Sequence, residues 1–363
     1  MKEKLDAMMT AGVADGVFPG AQLLVSRGES VCHFGAYGVE ALSGRRPVSG
    51  ETYFDLASLT KPLATALAVM ALMGEGKLRL EMPLGEMLPP LGRWGKGRIL
   101  LSNLLCHDSG LPAHRSYYER LREVPAADRA GLLWRLLGEE RLERAVGERT
   151  VYSDLGFMVL SLAVAAAAGE GMDRYLARRI YGPLGISGLH FPGVGKGSGG
   201  RRYAATERCP WRGKVVRGEV HDDNAFAMGG VAGHAGLFGR AGDVHQLLME
   251  ILRELRGEGR GILDGALLAR FLAPWGRTGR TLGFDRPSAA GSSCGRHFSR
   301  RTVGHLGFTG TSFWMDLERE IVVILLTNRV HPVRDNIAIR AFRPRIHDAV
   351  MEGMPVRCGE EGR

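Results

Sequence analysis

Ser58 and Lys61 stand three residues apart in Phe54-Asp55-Leu56-Ala57-Ser58-Leu59-Thr60-Lys61-Pro62-Leu63-Ala64, where one apolar stretch turns into a longer one. On a helix that spacing puts both side chains on one face. At a helix start they also meet the positive end of the macrodipole. A serine hydroxyl is a weak nucleophile until a neighbouring base takes its proton, and a neutral lysine amine can do so. The pair is therefore a candidate for S-x-x-K acyl transfer. Alone, it reads better as an N-cap serine followed by a surface lysine, and the rest of the chain has to shift that balance.

Acyl transfer would need a second proton-handling group near the alcohol, paired N–H donors for the oxyanion, and a strand edge to hold the acyl donor. Tyr152-Ser153-Asp154 is the candidate for the first, on a turn leading into an apolar helix. Asp154 could instead cap that helix, and Tyr152 could be core. His305-Leu306-Gly307-Phe308-Thr309-Gly310-Thr311-Ser312 is the candidate for the rest. It opens a strand, and its glycines allow a ligand to approach the backbone closely.

These segments need elements to position them. Residues 21–26 and 31–37 read as strands joined by a turn at Arg27-Gly28-Glu29. A buried helix is expected from Ser58 to Met73, stopping at Gly74-Glu75-Gly76. Helical spacing of apolar residues recurs at 101–106, 126–137, 156–168 and 173–181. Strands are expected at 301–306, 311–317 and 321–327, the last two forming a hairpin, and a final helix over 333–350. The expected architecture is α+β: one antiparallel sheet built from both ends of the chain and flanked by the first and last helices, with an inserted helical region. Residues 1–77 and 200–363 would make the discontinuous α/β part, and 78–199 the helical part.

Ser-x-x-Lys, then Tyr-Ser-Asp, then His-Leu-Gly, in that order, resembles the serine β-lactamase and penicillin-binding-protein superfamily. Within it the pattern is similar to the class C β-lactamase-like branch, which includes D-alanyl-D-alanine carboxypeptidases and class VIII-type esterases. Leu104-Leu105-Cys106-His107-Asp108-Ser109-Gly110-Leu111-Pro112, the run from Gly229 to Phe238, and Leu325-Leu326-Thr327-Asn328-Arg329 extend the resemblance from about Gly20 to Val350. It implies Ser58 as the acylated nucleophile, Lys61 as its proton acceptor and Tyr152 as the relay to the leaving group. It further implies an oxyanion hole from the N–H groups of Ser58 and Phe308, with Gly307 beside it. Asp154 stands where the pattern usually has Asn, and would orient Lys61 or substrate. His305 replaces the usual Lys. Leu306 replaces a common Thr or Ser, which removes a hydroxyl that would contact a substrate carboxylate. The implied substrate is a small molecule or peptide offering an amide or ester, and efficient β-lactam hydrolysis is not expected. A non-catalytic binding or scaffold protein of the same fold is the alternative. No cofactor is required by this chemistry.

Composition narrows the rest. Net charge is +9 over 363 residues, mostly from arginines spread along the chain without an aromatic-interleaved stripe, so nucleic acid is not the expected partner. Cys32, Cys106, Cys209, Cys294 and Cys358 are odd in number and widely spaced, suggesting neither a disulfide framework nor a cysteine zinc site. The apolar run 155–168 is too short to span a bilayer. The N-terminus lacks the apolar core of a signal peptide, making the cytoplasm the default location, or the periplasm if a leader was removed. Oligomeric state is left open. Gly195-Lys196-Gly197-Ser198 misses the phosphate-loop spacing and reads as a surface loop. Gly291-Ser292-Ser293-Cys294-Gly295 matches the nucleophile elbow but lacks its strand and helix. His107-Asp108-Ser109 reads as a helix end, since triad partners meet in space rather than in sequence. His221, Asp222, Asp223 and His234 match no metal spacing, so no metal is expected, and His221 is a candidate for reaching substrate.

Overall fold

The computed structural model describes residues 1–195, 199–277 and 279–354. Lys196, Gly197 and Ser198 of the loop noted above, and Cys358, lie outside the described residues. Five strands form one antiparallel sheet: β1 (Gly20–Arg27), β2 (Ser30–Gly38), β4 (Thr302–Leu306), β5 (Ser312–Asp316) and β6 (Ile321–Thr327), with β3 (Thr52–Asp55) lying outside it. Their order is β2-β1-β6-β5-β4, so the two ends of the chain meet where β1 pairs with β6, Leu24 opposite Ile324.

β6 is apolar throughout because both its faces are covered. Ile321, Val323 and Leu325 pack against the N-terminal helix Lys2–Ala14 and the last helix Ile339–Glu352, through Leu5, Met9, Phe342 and Ile346. Val322, Ile324 and Leu326 face the main core, beside Val244, Leu247 and Ile251 of the helix Ala241–Arg256. That helix is not among the elements expected from the sequence, although its apolar residues recur every three to four positions. It closes the second face of the sheet.

The last helix begins at Ile339, not Val333. Arg329 Nη1 donates to the carbonyls of Arg334 and Asn336, and Asn336 Nδ2 donates to Gly16 O. Those bonds hold 333–338 as a loop against the first helix. The Ser58 helix runs Ala57–Gly74 and is long and apolar enough to cross a membrane, yet 83% of it is buried inside the fold. It is therefore placed as a core helix. The remaining helices, among them Leu101–Leu105, Ala126–Glu139 and Asp154–Ala168, surround it and share its hydrophobic core.

Candidate active site

β3 delivers Ser58. It is tied to Phe238–Gly239 through the Phe54–Gly239 pairing, and Leu56 N–H continues the contact to Leu237 O at 3.0 Å. Ala57 then takes φ = +48°, a left-handed conformation that costs a non-glycine residue free energy and persists only when the surroundings impose it. Here they do. Asp55 Oδ1 accepts the Ala57 N–H at 2.8 Å, and Thr60 Oγ1 donates to Ala57 O at 2.6 Å. From the sheet, Thr309 Oγ1 donates to Asp55 O and Thr311 Oγ1 to Leu56 O. The chain then enters a single 3-10 turn at Ala57–Leu59, a widened helical stretch at Lys61–Ala66, and regular α-helix from Leu67. Local widening of this kind concentrates at functional sites.

Gly307 serves that same clamp. A Cβ there would collide with Thr311 Oγ1 and come 2.7 Å from Leu56 O. The close approach at Gly307 is made by the protein's own Ser58 turn. Arg343 Nη2, from the last helix, holds the loop by donating to Gly307 O and Thr311 O. Gly307→Ala should therefore cost about 1–3 kcal/mol of stability, as overpacking does. Thermal unfolding of the variant measures this, and an unchanged midpoint would show that the turn can yield.

Lys61 is completely buried, and its Nζ lies 3.0 Å from Ser58 Oγ, 2.8 Å from Asp154 Oδ1 and 3.1 Å from His234 O. It also sits over the Tyr152 ring, 4.7 Å from its centroid. Burial opposes its charge, but Asp154 and Tyr152 outweigh burial and hold its pKa above the ordinary lysine value. Asp154 is the counterpart. Burial would raise its carboxyl, and the Lys61 charge overrides this and holds it well below the usual range. Ser153, not Asp154, caps the following helix, its Oγ accepting from Gly156 N–H at 3.1 Å. Asp154 is thereby free for Lys61, while its place in the first helical turn also favours its negative charge.

Burial raises the Tyr152 phenol, against the lowering effect of the Lys61 charge and of hydrogen bonds to Lys61 and Ser58. The resting site therefore holds an ammonium and a neutral phenol around the Ser58 hydroxyl. His107 stacks on Tyr152 with centroids 4.6 Å apart, and its Nδ1 accepts the Ser153 N–H at 2.9 Å. It is thus part of the Tyr152 mounting rather than only a helix end. The sequence reading of His107 as a helix end misses this contact, because the stacking joins two loops distant in sequence.

His305 lies on the far side of Tyr152, ring centroids 5.9 Å apart, and is not among the residues lining the Ser58 cavity. Burial pushes it down to about 4, so it is neutral at neutral pH. Nδ1–H donates to Leu306 O at 2.9 Å, and Nε2 stands 3.9 Å from Asp285 Oδ2. It does not supply the cation that a lysine would place there.

The Ser58 cavity holds about 420 Å³ and is walled by Tyr152, Asp154, His114, His234, Phe308 and Arg334, among others. Phe308 is half exposed at its rim, with the His221 ring stacked 5.7 Å away at 16° and the Arg329 guanidinium 4.7 Å from its centroid. The Phe308 N–H makes no hydrogen bond among the described residues, and the Ser58 N–H sits in the first turn, where helical donors lack intrahelical acceptors. His221 also lines the cavity, but its Nε2 bonds Glu207 Oε2 at 3.0 Å and its N–H donates to Asp55 Oδ2 at 2.6 Å. It braces Phe308 and the Ser58 turn. His234 pairs with Asp222 at 2.9 Å, and Arg334 with Glu207 and Asp223. Among the described residues no group of His, Cys, Asp and Glu is placed to hold a metal ion. His114 and Arg334 were not candidates from the sequence, and His234 was weighed only as a metal ligand, because loops far apart in the chain bring them together. Ser293, in the decoy elbow, lies in an irregular loop outside this cavity, with its carbonyl accepting from His347.

An antiparallel sheet fed by both chain ends, with a serine, a lysine and a tyrosine converging at the mouth of a buried helix, defines a β-lactamase-like, α+β protein. The chain belongs to the β-lactamase family: the family model "Beta-lactamase" matches residues 5–344. It is 32% identical, over 99% of its length and 86% of the relative's, to an N-acetylmuramyl-L-alanine amidase of Bacillus subtilis. Among solved structures it is similar in fold to EstCE1, a hydrolase with promiscuous acyltransferase activity, with TM-score 0.76, 22% identity, and coverage of 96% of this chain and 98% of that one. The octameric penicillin-binding protein homologue from Pyrococcus abyssi matches with TM-score 0.72 and 22% identity, covering 93% of this chain and 76% of that chain. The family and its named relatives are those of β-lactamase-fold hydrolases.

Proposed function

We propose that the protein is a serine hydrolase that cleaves an amide or ester through an acyl-enzyme on Ser58. The observation that carries this reading is the convergence of Ser58 Oγ, Lys61 Nζ and Tyr152, with Ser58 and Tyr152 lining one cavity and the buried Lys61 within hydrogen-bond reach of the serine. Loss of one proton from the Lys61–Tyr152 pair leaves a base beside Ser58. The serine oxygen then attacks the acyl carbon while its proton passes to that base. The N–H groups of Ser58 and Phe308 receive the oxyanion, each such donor being worth about 3 kcal/mol. Tyr152 hands a proton to the departing amine or alcohol. A water activated by the same pair then attacks the ester carbonyl, releasing the acid and restoring the Ser58 hydroxyl.

The Bacillus relative makes the N-acetylmuramyl-L-alanine amide the first substrate to offer. With Leu306 in place of a hydroxyl residue and His305 neutral, two usual contacts for a substrate carboxylate near the bond being cut are absent, which disfavours penicillins. Intact-protein mass spectrometry after exposure to a fluorophosphonate, a nitrophenyl ester, penicillin and a muramyl-alanine peptide tests the reading. Adducts from the first two are expected, with the muramyl peptide cleaved and penicillin turned over slowly or not at all. No adduct from any of the four would favour a non-catalytic binding protein.

A further inference from the structure

Asp154 presents its two carboxylate oxygens to two different cations. Oδ1 takes the buried Lys61 at 2.8 Å, and Oδ2 faces His114 Nδ1 at 3.8 Å, on a side chain that is half exposed at the cavity. The bridge joins the sealed Lys61–Tyr152 pair to an imidazole in contact with solvent, the side-chain type whose charge changes most readily with pH. We infer that His114 is a positioning residue that tunes the proton affinity of the Lys61–Tyr152 pair through the shared Asp154 carboxylate. This rests on the Ser58 acyl-enzyme reading.

The sign follows from charge. A neutral His114 leaves the full attraction of Asp154 to Lys61, which keeps its proton. A protonated His114 places a second cation on the same carboxylate, weakens its hold, and lets the pair release its proton more readily. Other charged groups face the same point. His234 acts on Asp154 from the 229–238 loop, and Asp222 and Asp223 act on His114 from their short helix start. The facing Asp154 carboxylate first, and these two acids after it, favour the charged imidazole and raise its pKa, against desolvation. His234 is itself paired with Asp222 at 2.9 Å, and Arg334 on the same wall is held by Glu207 and Asp223. His114 is the imidazole whose ring nitrogen faces the free oxygen of Asp154.

The test follows the rate at which a fluorophosphonate labels Ser58 between pH 5.5 and 9.5. At pH 6 the wild type should label about three-fold faster than His114→Gln, a size set by screening of a half-exposed charge. As pH rises and His114 loses its proton, the two should converge. His114→Arg, charged throughout, should match the wild type at pH 6 and exceed both at pH 9. A ratio between wild type and His114→Gln that stays constant across pH would overturn the inference, since a purely structural contact gives that result. Histidine NMR supplies a measurement independent of turnover. The His114 titration should move down towards its ordinary value in Asp154→Asn, and an unmoved titration would equally overturn it. A wild type that takes no label at any pH would count against the Ser58 reading instead, with the NMR result still deciding the coupling.

Discussion

Replacing Ser58 by alanine is expected to abolish covalent capture and to lower turnover of any accepted amide or ester by at least about 10⁴-fold. Groups that act as one catalytic unit lose nearly the whole of its effect when the nucleophile goes. On the proposed acyl-enzyme reading, Ser58→Ala removes the single atom that would bond to the acyl carbon. It leaves Lys61 bonded to Asp154 and His234 O, and Tyr152 against His107, so the fold should survive. Ser293→Ala is the matched control. It sits in the other serine motif of the chain, in an irregular loop outside the Ser58 cavity, and should leave labelling and turnover unchanged. Intact mass and steady-state rates on the two variants decide between the serines. Retained labelling in Ser58→Ala would remove Ser58 from the mechanism.

The contrast between those two serines shows what a chain can tell before it folds. That Ser58, Lys61 and Tyr152 come together was legible because the proposed acyl transfer restricts both residue type and order, and three such segments in sequence are hard to meet by chance. The sheet was legible for a different reason. β6 is a continuous apolar run between turns, and a strand covered on both faces has to look like that. Other parts were hidden. His107 and His114 earn their places through contacts with Tyr152 and Asp154, reached through packing that no local pattern encodes. Gly307 was singled out as allowing a ligand close to the backbone, but sequence alone does not say whether ligand or protein fills the space. The helix boundary at Ile339 depends on Arg329 reaching across to two carbonyls, a tertiary event that overrides local propensity.

Asp154→Asn should change both stability and pH dependence, in directions fixed by the same ion pair. Lys61 has no exposed surface, so removing its counter-charge strands an ammonium in the interior. Breaking a buried pair from one side costs about 3–5 kcal/mol, and asparagine, which keeps a hydrogen bond, should fall at the lower end. The loss depends on pH. The Asp154 pKa is lowered on folding, so its contribution is present above the unfolded carboxylate value near 4 and is lost as pH falls through the folded value. The Lys61 pKa is raised on folding, so its contribution is complete below the unfolded value near 10.4 and is lost as pH rises through the folded one. The gap in unfolding free energy between wild type and variant should thus be widest from about pH 5 to 9 and narrow towards either extreme. Reactivity should move the other way. With Asp154 neutral, burial is opposed at Lys61 by Tyr152 only, so the Lys61 pKa moves down, and the phenol of Tyr152 loses a negative neighbour that raised it. Whichever of the two gives up the proton, it does so at lower pH. The acid limb of Ser58 labelling should therefore shift down by about one unit or more, making the variant about ten-fold faster at pH 7 while less stable. Labelling rates and denaturant unfolding across pH measure both halves. An acid limb that stays in place, or moves up, would mean that the carboxylate does not govern the base beside Ser58.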